Sequence, residues 1–110
     1  MSNEIKIAIK VDKYDYSKTY NRYTVKVINI CYENRYLEKE IEYYADGVKY
    51  AENSNYLVFQ QEGKYNVTIK FKVKVKNCQR LFSNLDNLIY IDLSLFDPQD
   101  ITDMSEMFSE

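Results

Sequence analysis

The chain has 110 residues, 45% of them hydrophobic and 29% charged, with only two Gly and one Pro, which suits one ordered domain and excludes a linker or low-complexity segment. Its formal net charge of −2, with both signs interspersed, leaves no basic field to draw nucleic acid or an acidic membrane surface. Twelve Tyr stand against no Trp and no His, so a Ser or Cys nucleophile lacks its commonest base and zinc its commonest nitrogen ligand.

The first residues, MSNEIKIAIKVDKYDY, hold an apolar stretch broken by Lys6 and Lys10 and show no small-residue cleavage site, so they do not read as a signal peptide. No run approaches the ~20 apolar residues that span a bilayer. The chain therefore reads as cytoplasmic. Cys31 and Cys78 have no thiol or imidazole near them in sequence; buried reduced thiols are expected, and a disulfide scaffold is not.

Residues 4–11, EIKIAIKV, alternate strictly, with Ile5, Ile7, Ile9 and Val11 on one face, the pattern of a half-buried strand. A polar connection over 12–22 leads to YTVKVINICY. There Val25 and Val27 are in phase and Ile28 and Ile30 are not, which predicts either a bulge near Val27 and Ile28 or cover on both faces. Asp46-Gly47 is a hairpin signal, since both central residues of a type I′ turn need positive φ; it predicts strands near 39–45 and 48–51. Leu57, Val58 and Phe59 run into a Glu62-Gly63 turn. From Tyr65 to Val75 the alternation is clearest, with Val67, Ile69 and Phe71 on one face and Lys70, Lys72 and Lys74 on the other.

Near residue 76 the period changes. Leu81, Phe82, Leu85, Leu88, Ile91, Leu93 and Phe96 follow the leucine-rich spacing in which a short helical arc turns into the strand of one solenoid coil. That places Leu85, Leu88, Ile91 and Leu93 toward the core and Tyr90, Asp92 and Ser94 on the open strand face. After Pro98, Asp103 and Glu106 stand at capping-box spacing at the start of a new helical turn.

A shift of 26 residues lays Asn77–Ser83 on Asp103–Ser109, matching Phe82 with Phe108, Ser83 with Ser109, Leu81 with Met107 and Cys78 with Met104. Residues 78–108, above all IDLSLFDPQDITDMSEMF, resemble the BspA-like leucine-rich repeats of bacterial surface lipoproteins and many protist proteins. The residues that carry the resemblance are Cys78, Phe82, Leu88, Ile91, Asp92, Leu93, Ser94, Phe96, Asp97, Thr102, Met104, Met107 and Phe108. The chain departs from that motif at Leu81, at Pro98-Gln99-Asp100 and at Ile101. Residues 1–75 are similar, more loosely, to the non-repeat segment that precedes such arrays in protist-type members, which implies an N-terminal β cap.

The need for a cap also follows from physics, because a single repeat cannot bury its own apolar stripe. The expected fold is therefore mainly β (α+β): a small antiparallel sheet, residues 1–75, fused to one leucine-rich-repeat-like coil and the start of a second, residues 76–110, packed as one unit.

No enzyme constellation emerges, and no cofactor or metal is implied. Asp97 with Asp100, or Asp100 with Asp103, could hold a hard cation, but turn formation and capping are their ordinary roles. The Lys70–Lys76 stripe could serve a single-stranded nucleic acid, although strand alternation turns Phe71 away from it. Exposed apolar stripes are interaction sites. Tyr90, Asp92, Ser94, Met104, Met107 and Phe108 are thus the candidate partner-binding residues, for a protein partner or for self-association through the C-terminal repeat edge. Three readings stand: a non-catalytic protein-interaction module, a purely structural capping fragment of a longer repeat protein, and a nucleic-acid binder using the lysines.

Overall fold

The computed structural model describes residues 3–99 and 101–108. Its strands are β1 (Asn3–Val11), β2 (Tyr16–Ser17), β3 (Arg22–Lys26), β4 (Ile41–Ala45), β5 (Val48–Glu52), β6 (Tyr56–Phe59), β7 (Gly63–Phe71) and β8 (Leu88–Asp92). The protein is mainly β. Short 3-10 segments occupy Lys13–Asp15 and Tyr32–Lys39.

β1 organises the fold because it is paired on both edges. It runs antiparallel to β7 from Asn3↔Phe71 to Val11↔Gly63, and antiparallel to β8 from Lys6↔Asp92 to Ile9↔Leu88. β4 lies on the far side of β7 and β5 beyond it, giving the order β5-β4-β7-β1-β8. The alternation of β1 and β7 carries Ile5, Ile7, Ile9, Val11, Val67, Ile69 and Phe71 to one face, where all are buried. A smaller sheet, β2-β3-β6, adds Val25, Leu57 and Phe59 to the same core. That core runs on without a break into Cys78, Leu81, Phe82, Phe96 and Met107, so the repeat-like tail and the β cap share one interior.

Asn87 clamps β8 onto the spine. Its carbonyl accepts from the Lys10 N–H at 2.9 Å, and its side-chain amide donates to the Lys10 carbonyl and to the Asp15 carboxylate. The register slips between Ala8 and Ile9, and Ile89 is left outside the pairing.

Several expectations hold in outline and shift in detail. The Asp46-Gly47 hairpin is present, with φ of 52° and 80° at the two turn residues. Val27 and Ile28, out of phase with each other, are both buried. β3 ends at Lys26, so cover on both sides explains the broken alternation. The expected strand from Tyr65 to Val75 begins at Gly63 and stops at Phe71, because Phe71 faces the first residue of each neighbouring strand, Asn3 and Ile41. The lysine stripe is correspondingly short. Lys70 lies 3.5 Å from Glu4 and over the Tyr44 ring, and Lys72 lies 3.6 Å from Glu52. The expected helical arc after residue 78 is a series of tight turns. The Tyr32–Lys39 segment and the β2-β3 hairpin, with Asn21 at φ 55°, were hidden in polar sequence.

Gly47 sits at φ +80° with open space where a Cβ would stand, so only backbone strain opposes a side chain there. Gly47→Ala should cost about 1 kcal/mol through that strain. Ile69→Ala, in the filled core, should cost roughly 2–5 kcal/mol. Urea unfolding followed by circular dichroism would order the two, and equal midpoints would contradict this placement of Ile69.

Candidate interaction surface

The tail is built from one turn used twice. In the first coil the Asn77 side-chain oxygen accepts the Gln79 N–H at 2.8 Å, the Leu81 N–H donates to the Cys78 carbonyl at 3.1 Å, and Arg80 takes φ 57°. In the second, the Asp103 carboxylate accepts the Ser105 N–H at 2.8 Å, the Met107 N–H donates to the Met104 carbonyl at 3.3 Å, and Glu106 takes φ 54°. Short polar side chains that bond the backbone two residues on are what start such turns.

The two coils stack in parallel at the 26-residue spacing. Asn77 and Asp103 form a parallel bridge. The N–H groups of Cys78, Arg80 and Phe82 donate to the carbonyls of Asp103, Ser105 and Met107 at 2.7, 3.2 and 2.8 Å. The Arg80 guanidinium pairs with the Glu106 carboxylate, so Glu106 reaches back to the first coil.

On its other side the first coil meets the cap. The Leu81 carbonyl accepts from the Asn29 N–H at 2.8 Å, and the Gln79 carbonyl accepts from the Asn34 side-chain amide at 3.0 Å. Asn34 is fully buried, and its side-chain oxygen accepts the Cys31 N–H at 2.8 Å. The Asn29 amide donates to the hydroxyl of buried Ser83, which itself donates to the Arg80 carbonyl. Sequence reading overlooked both asparagines; their only signal was a polar residue at either end of the apolar-leaning run NICYEN.

The structure divides the candidate residues. Cys78, Leu81 and Phe82 of the first coil are 0%, 0% and 3% exposed, whereas their equivalents Met104, Met107 and Phe108 are 48%, 3% and 49% exposed. Met107 is therefore corrected: it points into the chain's own core and is no part of an exposed stripe. Met104 and Phe108 lie half exposed on the outer side of the second coil. The Phe108 ring lies nearly parallel to the Phe82 ring, centroids 6.1 Å apart.

Tyr90 stands out from β8 at 61% exposure. Asp92 is only partly exposed, and its carboxylate accepts the Ser94 N–H at 2.8 Å. Hydrogen bonds from the Ser94 side chain and backbone, with Lys6 nearby, hold that carboxyl below its ordinary range. Asp92 closes the turn after β8, and Ser94 is exposed beside it. Leu88, Ile91 and Leu93 are partly buried against the core. Ile89 and Leu95, not singled out by the sequence, are exposed large apolar side chains of the same stretch. β8 is an edge strand paired only toward the cap, so its free edge and the outward side of the second coil both lie away from the cap.

The acidic residues near Pro98 are structural: the Asp97 carboxylate accepts the Gln99 N–H, and Asp100 lies outside the described residues. Among the described residues no group of three His, Cys, Asp or Glu could hold a metal ion, and no helix is long and apolar enough to cross a membrane. A cavity of about 560 Å³ lined by Tyr36, Glu40, Val73, Lys74 and Lys76 lies where the chain leaves β7.

Cys78 sits under the second coil, and burial pushes its thiol up to about 11. Cys31 is partly exposed. Maleimide at pH 8 should label Cys31 quickly and Cys78 only on unfolding, since the thiolate is the nucleophile; equal labelling of both in the folded protein, read by mass spectrometry, would contradict the stacked coils. Scans against protein-family models, curated proteins and solved structures found no match to this chain.

Proposed function

We propose that this chain is a non-catalytic protein-interaction module of the BspA-like leucine-rich-repeat type, which holds a polypeptide against the open side of its second coil and the free edge of β8. The observation that carries this reading is the contrast between equivalent positions: Cys78 and Phe82 are covered and Met104 and Phe108 are half exposed. Covering each of the latter pair would contribute roughly 1 kcal/mol. Ile89, Tyr90 and Leu95 are further exposed large apolar side chains of the tail, and Ser94 is exposed among them, the composition expected of a contact site.

A second reading, a purely structural capping piece, draws support from the cap's seal on the first coil through Asn29 and Asn34. The nucleic-acid reading loses support because Lys70 and Lys72 are engaged with Glu4 and Glu52.

Met104→Asp combined with Phe108→Ala should lower partner capture in a pull-down at least tenfold, a change of about 1.4 kcal/mol, without altering the circular dichroism spectrum. Val48→Ser, at an exposed site on the opposite edge of the five-stranded sheet, should leave capture intact. Capture that ignores the double variant would reject the module reading, and absence of any partner specific to the wild type would favour the capping piece.

A further inference from the structure

We infer that the outward face of the β2-β3-β6 sheet is a second binding face, which takes a short acidic segment of another polypeptide in extended conformation. It shares no residue with the tail surface proposed above and stands independently of it.

Strand alternation assigns the face. β3 turns Tyr23 and Val25 toward the core, with Leu57 and Phe59 of β6 beside them, which leaves Arg22, Thr24 and Lys26 on the other side. Their cross-strand neighbours there are Ser17, Val58 and Tyr56. None of these side chains is acidic. Among the described residues, neither Arg22 nor Lys26 forms an ion pair. The five-stranded sheet treats its lysines differently: Lys49 lies 3.1 Å from Glu42 and 2.9 Å from Glu52, and Lys70 lies 3.5 Å from Glu4. The Arg22 guanidinium is instead held over the Tyr20 ring, 5.3 Å from its centroid, an arrangement that leaves its planar fork of donors to a carboxylate. Tyr20 and Tyr56 are 66% and 51% exposed.

The spacing selects an extended polypeptide. The Cα atoms of Arg22 and Lys26 stand about 14 Å apart at the ordinary strand rise. An extended chain turns alternate side chains to one side at the same rise, so acids four residues apart meet both cations at once. The residue midway between those acids then meets the Thr24–Val58 pair. One carboxylate falls beside Arg22 and Tyr20, the other beside Lys26 and Tyr56. A long polyanion such as single-stranded nucleic acid would run past this face onto a chain with 17 acidic and 15 basic side chains, whose charge acts over about 10 Å in 0.1 M salt. A short segment stays on the cations.

The peptide TETVTET, with both ends blocked, carries the required pattern. Titrated at millimolar concentration into the isotope-labelled full chain at low salt, it should shift the amide resonances of Thr24 and Val58, while TQTVTQT leaves them in place. Arg22→Glu with Lys26→Glu should weaken binding about tenfold or more, since two attractions become repulsions. Arg35→Glu with Lys39→Glu, which alters the net charge equally at exposed sites of the Tyr32–Lys39 segment, should leave it unchanged. The glutamine peptide tests the charge even if the first double variant fails to fold. No shift with TETVTET, equal shifts with TQTVTQT, equal loss in both charge-reversed variants, or an eight-residue oligothymidylate that shifts Thr24 and Val58 where the peptide does not would each overturn the acidic-segment face. Met104→Asp with Phe108→Ala should bind the peptide as the wild type does, so this face and the tail surface succeed or fail separately.

Discussion

The stack of the second coil on the first through alternate backbone N–H groups is the constraint from which the rest of this structure takes its sense. A turn-rich segment has no ladder of its own, and its buried main-chain groups must find partners. Here each layer supplies them to the next. The Gln79 and Leu81 carbonyls go to the cap and the Cys78, Arg80 and Phe82 N–H groups to the second coil, while Thr102 returns its N–H to the Lys76 carbonyl, and this exchange seals the first coil on both sides. Cys78 and Phe82 are buried as a consequence of being the covered layer, and Met104 and Phe108 are exposed as a consequence of being the outer one.

The N-terminal sheets meet the first coil along one side. β1 offers its second edge to β8, which brings the strand of the first coil into the cap's own sheet, and Asn87 fixes the register there. The loop from Val27 to Asn34 then supplies polar groups at the level of the coil's turn. Asn34 satisfies two main-chain groups from a fully buried position, which makes it a specific fit and an expensive one to lose. One interior therefore spans both parts.

Much of this was legible in the sequence because it rests on period. Strict alternation marked β1 and most of β7, Asp-Gly marked the β4-β5 hairpin, and the change of spacing near residue 76 marked the tail. The repeated turn could be found by alignment, and its pairing at 26 residues is the physical meaning of that alignment. What escaped were features that periodicity does not encode: the strand end at Phe71, decided by where its neighbours begin; the Tyr32–Lys39 segment, assembled from polar residues; and the asparagines of the cap, whose value lies wholly in distant carbonyls. Met107 was misassigned because a stripe read at one spacing merges two directions. Only the stack separates the residue that points to the core from the two that face outward.

Residue-resolved hydrogen exchange tests the layered account most directly, since it reads the donors themselves. The amides of Cys78 and Phe82 should exchange slowly and those of Met104 and Phe108 quickly, although the four occupy equivalent places in the repeated turn. Equal protection of all four, or rapid exchange at Cys78 and Phe82 in the folded protein, would contradict it.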